Sequence, residues 1–157
     1  MNSGAAPSGV SWGQFAAAMP AMAAAGHRLL YQYGPGLGFL ATVRRDGGPR
    51  MHPVCPHVVD DDLWIFIGPH SPKRFDLERD PRYAIHTMPP EDVDDEFYVT
   101  GVAVRFDDVA TAERVRNGFI SDVGDDEVLF RFSLERALLA EYGPRPSFPP
   151  AYTRWRV

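Results

Sequence analysis

Between two apolar runs, "LWIFI" (63–67) and "RYAIHTM" (82–88), the sequence reads "GPHSPKRFDLERDP", Gly68 to Pro81. A hydroxyl, Ser71, precedes two adjacent cations, Lys73 and Arg74. Ser followed by Pro reads as a helix start. Ser71 takes the cap and Pro72 the first turn, where a missing N–H costs nothing. The open N–H groups and partial positive charge of that helix end, with Lys73 and Arg74, suit a phosphate dianion. Arg50 adds a further charge if its strand lies alongside. The same residues also fit a capped surface helix with solvated cations, and residue type alone leaves both readings open.

A second group lies in "RMHPVCPH", Arg50 to His57. A metal reading of His52, Cys55 and His57 fails on geometry. Strand alternation turns His52 away from Cys55 and His57, two prolines distort the strand, and no second cluster completes a tetrahedral set. Cys55 as a nucleophile needs a base beside it; a small buried cysteine is the simpler reading. The acidic run "PPEDVDDE" (89–96) reads as a solvated loop. Gly34-Pro35-Gly36 lacks the spacing and the following Lys-Ser/Thr of a phosphate loop.

These residues need a scaffold, and the patterns around them supply one. "SWGQFAAAM" and "PAMAAAGHRLLYQYG" read as two short helices, capped by Ser11 and opened by Pro20. Strands are expected at 37–43, 50–59, 63–67, 82–88, 97–106 and 151–157, with an Asp-Gly hairpin turn in "RDGG". Pro53 and Pro56 require the second strand to be an edge or irregular. Gly101, inside the strand 97–106, points to a bulge or a close backbone approach. "DDVATAERVRNGFI" (107–120) is an amphipathic helix with Val109, Ala112, Val115 and Phe119 on one face, capped by Asp107 or Asp108. "VLFRFSLERALLAEYG" (128–143) divides between a strand-like start and helix formers in "LERALLA". The sum is a mainly β chain with flanking helices, a six- to seven-stranded antiparallel barrel.

The chain has 157 residues, enough to bury a core, with 45% hydrophobic and 24% charged residues. Its formal net charge of −5 argues against a nucleic-acid partner. The single cysteine excludes an internal disulfide. The alanine-rich segment 15–25 lacks a basic leader and is too short to span a bilayer. The expectation is a cytoplasmic protein with no membrane partner. Residues 1–10 are expected to be disordered and 11–157 to form a single domain.

In order, "GFLATVRRDGGPRMHPV", an apolar strand, "SPKRFDLERDPRYAIH" and "FYVTGVAVRF" resemble the pyridoxamine 5′-phosphate oxidase-like, flavin-binding split-barrel superfamily. The resemblance covers about residues 37–107. It implies a split β-barrel that dimerises, with FMN lying across the subunit interface. It further implies that Arg50, Met51, His52, Pro53, Val54 and Cys55 run along the flavin, that Phe66 and Ile67 contact it, and that Ser71 and Lys73 hold its phosphate. In the family an arginine stands where this sequence has Pro72, and Arg74 is the candidate replacement. The family's C-terminal substrate motif is missing from "YTRWRV", which argues against pyridoxamine phosphate as substrate.

The function expected on this resemblance is an FMN-dependent oxidoreductase acting on a small-molecule substrate, with no side chain singled out as acid or base. Two alternatives share the fold. One is a deazaflavin-dependent reductase, for which Arg44, Arg45, Lys73, Arg74 and Arg79 are candidate cations. The other is a non-enzymatic module binding flavin or haem.

Overall fold

The computed structural model describes residues 8–120, 122–143 and 148–157. Helices α1 (Trp12–Ala18) and α2 (Pro20–Leu30) lead into the strands. Strands β1 (Gly38–Val43), β2 (Pro49–Val54), β3 (His57–Val59) and β4 (Asp62–Ile67) follow, then α3 (Pro72–Arg79), β5 (Arg82–Thr87) and β6 (Glu96–Phe106). Helix α4 (Val109–Asn117) precedes β7 (Val128–Glu141) and β8 (Ala151–Arg156). Every strand pairing is antiparallel, and the chain is mainly β, a split barrel.

The strand order is β2-β1-β5-β6-β7-β4-β3, with β8 also on β7. The expected second strand, 50–59, is two strands. Pro56 lacks the N–H a ladder needs, so pairing with β1 stops at Val54 and a new pairing with β4 starts at His57. The sheet therefore has eight strands. Cys55-Pro56 links its two ends covalently, and no ladder joins β2 to β3 among the described residues. That gap is the split.

Strand β7 corrects the mixed reading of 128–143. It is one 14-residue strand, paired to β6 along one edge. Its other edge takes β4 at residues 128–132 and β8 at residues 136–141. Helix formers in "LERALLA" are overridden because both edges of that segment are hydrogen-bonded. Val10 also pairs with Leu134 of β7, through bonds of 2.9 and 2.8 Å. The disorder expected for 1–10 thus does not extend to Val10, while residues 1–7 lie outside the described residues.

The main core lies between the sheet and α1–α2, where Phe15, Met22, Leu30, Phe97, Phe132 and Leu139 are buried. Ser11 and Gln14 form a capping box on α1, and Pro20 opens α2. A second cluster joins Trp64, Val115 and Leu129 beneath α4, with Phe66 and Phe119 at its margin. Strand β4 is thus covered on both faces, which explains why "LWIFI" is continuously apolar. Asp108 caps α4, and Val109 is exposed rather than on the buried face.

Candidate functional site

Three segments distant in sequence meet at the split. Pro53, Val54 and Cys55 at the end of β2, Phe66 and Ile67 at the end of β4, and Lys73 in the first turn of α3 line one cavity of ≈ 270 Å³. Gly68 and four residues between α4 and β7 (Phe119, Asp122, Val123 and Glu127) complete its wall. Topology explains the convergence. β2 leaves the sheet at Val54, and β4 ends beside it, where Ile67 pairs with Val128.

The remaining expected residues have other partners. Arg50, His52 and Val54 share the inward face of β2, as alternation requires, and Met51 is 67% exposed on the other. Arg50 donates from Nε to Asp76 Oδ2 at 2.6 Å. Thr42 Oγ1 donates to the same oxygen at 2.9 Å, and Arg79 sits 3.5 Å from Oδ1. Asp76 is buried. Burial alone would raise its pKa, but the bonds from Arg50, Thr42 and Arg79 outweigh it and hold the carboxyl below the usual range. This cluster pins α3 to β1 and β2. His52 Nε2 is buried and has no hydrogen-bond partner among the described residues.

Ser71 occupies the N-cap position of α3 with extended backbone, and Pro72 opens the helix as expected. The expected capping bond is not made. Ser71 Oγ instead accepts from Lys73 Nζ at 3.0 Å. Arg74 donates to Glu78 Oε1 at 3.0 Å and to Pro69 O at 2.7 Å, bracing its own loop. Among the cations considered for a longer anionic cofactor, Arg44, Arg74 and Arg79 are each ion-paired to a carboxylate. Lys73 forms no direct ion pair among the described residues.

Electrostatics inside the cavity centre on Glu127. Burial lowers the Lys73 pKa, and the charge of Glu127 works against that shift. Burial, then Glu127, push the Cys55 thiol up, so Cys55 is a neutral wall residue at pH 7. Burial also lowers the pKa of His57, which is 1% exposed. Its Nδ1 lies 3.3 Å from Cys55 O, so the neutral ring carries its proton there and Nε2 has no partner among the described residues. Phe119 stacks on His57, with ring centroids 3.8 Å apart, and meets Phe66 edge-on at 5.2 Å. Asp122, Val123 and Glu127 carried no motif in the sequence, and Phe119 was legible only as part of the apolar face of the 107–120 helix. The packing of α4 on β4 brings Phe119 to the site, and the pairing of β7 with β4 brings Glu127.

The family pattern of pyridoxamine 5′-phosphate oxidase matches residues 27–139, more than half of the chain. The chain belongs to the pyridoxamine 5′-phosphate oxidase-like split-barrel family. Its fold is similar to that of a NimC/NimA family protein from Clostridium acetobutylicum, at 18% identity and a TM-score of 0.62. That match covers 85% of this chain and 93% of the other. A heme binding protein from Mycobacterium smegmatis aligns at 16% identity with a TM-score of 0.61. It covers 85% of this chain, which spans 57% of that protein's length. The General Stress Protein 26 from Bacillus anthracis aligns at 20% identity and a TM-score of 0.55, over 78% of this chain and 91% of the other. At these identities the likeness is one of fold. No curated protein matches the sequence. Among the described residues no helix is long and apolar enough to cross a membrane.

Proposed function

We propose that this protein is an FMN-dependent oxidoreductase that holds the cofactor phosphate at Lys73 and the flavin against Pro53, Val54, Phe66 and Ile67. The observation that carries this reading is the meeting of residues 53–55, 66–67 and 73 on one cavity. Its chemistry suits the ligand: an apolar wall for a flat ring and a half-buried ammonium for an anion. Ser71 accepts from Lys73 Nζ and so orients the charge. Phe66, Ile67 and Phe119 form the apolar part of the inner wall. When bound, FMN supplies the redox chemistry; the protein supplies binding, orientation and electrostatics.

The cavity is slightly smaller than the range of about 300–1,000 Å³ usual for small-molecule sites. A flavin therefore extends beyond it, which supports a site completed by a second copy of the chain. FMN fits better than a deazaflavin with an acidic tail, because three of the four extra cations considered for such a tail, Arg44, Arg74 and Arg79, are already ion-paired.

The test is the absorption spectrum and mass of whatever the purified protein retains. FMN is expected; a deazaflavin or haem would overturn the cofactor assignment. Titration with FMN beside riboflavin then isolates the phosphate. Lys73→Ala should lower affinity for FMN about 10- to 150-fold and leave riboflavin binding unchanged, the range of a charge-assisted hydrogen bond. If the variant keeps the whole preference for FMN, Lys73 is not the phosphate ligand.

A further inference from the structure

The cavity that holds Lys73 also holds a carboxylate that a phosphate site does not require. Glu127 immediately precedes Val128, whose pairing with Ile67 fixes the start of β7. Gly68 follows Ile67, so Glu127 stands at the mouth from which the α3 loop departs, and it lines the cavity with Lys73, Cys55 and Asp122. The ladder anchors it. Its N–H also donates to Gly124 O at 3.3 Å.

We propose that Glu127 sets the anion specificity of this cavity: it is the built-in counter-charge of Lys73, and a phosphate binds by displacing or neutralising it. The inference rests on the reading of Lys73 as the phosphate ligand. With Glu127 and Asp122 ionised, the cavity lining carries two negative charges against the one positive charge of Lys73. A dianion entering that lining meets repulsion that a neutral ligand does not. The other groups facing Glu127 are Arg116 on α4, Asp126 beside it and the Cys55 thiol. Burial and then Asp126 raise the pKa of Glu127, while Arg116 and Lys73 act in the opposite sense and are outweighed. Protonation of Glu127 removes the repulsion, so phosphate affinity at this site rises as pH falls through the Glu127 pKa.

The test is flavin titration of wild type, Glu127→Gln, Glu127→Asp and Lys73→Ala at pH 6 and pH 8, with FMN and riboflavin as probes. The FMN phosphate itself gives up part of its charge near pH 6, so the comparison of wild type with Glu127→Gln at pH 8 carries the inference. At pH 8, Glu127→Gln should raise the preference for FMN over riboflavin about three- to ten-fold. Glu127→Asp keeps the charge and should keep the wild-type preference, which separates lost charge from a disturbed loop. A preference unchanged in Glu127→Gln at both pH values, with loss in Lys73→Ala, overturns the inference and leaves the Lys73 reading intact. Full retention of the preference by Lys73→Ala overturns both.

Discussion

Arg50 and Asp76 bind each other across 2.6 Å, and that contact ties β2 to the helix bearing Lys73, so that the two elements lining the cavity are joined behind it. Asp76 is 4% exposed and takes three donors, from Arg50, Thr42 and Arg79. Arg50 is thereby a positioning residue for α3, whatever its outer nitrogens meet.

Replacing Asp76 by Asn should cost roughly 3 kcal/mol, because the carboxylate goes while Arg50 stays partly buried. For a chain of this length the melting temperature should fall by roughly 6–12 °C. The pH dependence has a definite sign. The folded-state pKa of Asp76 is depressed, so its stabilisation is fully present above the unfolded value of about 3.9. It is lost as pH falls from there through the folded value. Urea denaturation should show a constant gap between wild type and variant from pH 5 to 8, and a narrower gap at pH 3. A gap as wide at pH 3 as at pH 7 would contradict the assignment.

The strands and their turns were legible because alternation and turn chemistry are local. Gly101 was legible for the same reason. The β6–β7 register shifts beside it, and a Cβ there would lie 1.9 Å from Ser133 O. What the sequence concealed was non-local. "LERALLA" carries helix propensity, and only two flanking strands make it extended. The Ser71 hydroxyl has a capping role by type, but Lys73 two residues on competes for it. Four of the eleven residues lining the cavity come from the segment between α4 and β7, whose importance depends on where β7 starts relative to β4, a relation that no periodicity encodes.

Gly36 makes the break between β2 and β3 possible. A Cβ at Gly36 would fall 1.7 Å from Pro56 O and 3.5 Å from His57 Nδ1. Backbone must therefore move in Gly36→Ala, at a cost of at least about 2 kcal/mol. The movement falls on the segment carrying Cys55, so the alkylation rate of Cys55 by iodoacetamide should change as well. A variant with wild-type stability and wild-type Cys55 reactivity would show that this close approach is not maintained in solution.

A second copy of the chain should complete the flavin site. Phe39, Ala41, Ala84 and Tyr98 are only half-buried on the outer face of β1, β5 and β6, and Met51 on β2 is 67% exposed. The outer face therefore offers apolar area that association would remove from water. A stable dimer should bury on the order of 2,000 Å². Sedimentation at micromolar concentration should give twice the chain mass of 17.5 kDa. A monomer that still binds flavin would contradict the shared site.

Lys73 and Arg74 are adjacent in sequence and should behave differently. Lys73 turns into the cavity, with Ser71 holding its ammonium. Arg74 turns back along α3, where Glu78 and the carbonyl of Pro69 occupy its guanidinium and its charge lies 4.9 Å from the Phe75 ring centroid. Arg74→Ala removes a brace between the loop and the helix. It should lower stability by about 1 kcal/mol and weaken FMN and riboflavin binding by the same factor. Lys73→Ala removes a charge facing the ligand. It should weaken FMN selectively and leave the melting temperature within about 2 °C of wild type. The ratio of FMN to riboflavin affinity, measured on both variants, separates the two roles. If Arg74→Ala loses the preference for FMN and Lys73→Ala keeps it, the guanidinium must leave Glu78 to reach the phosphate, and the assignment of the two cations is reversed.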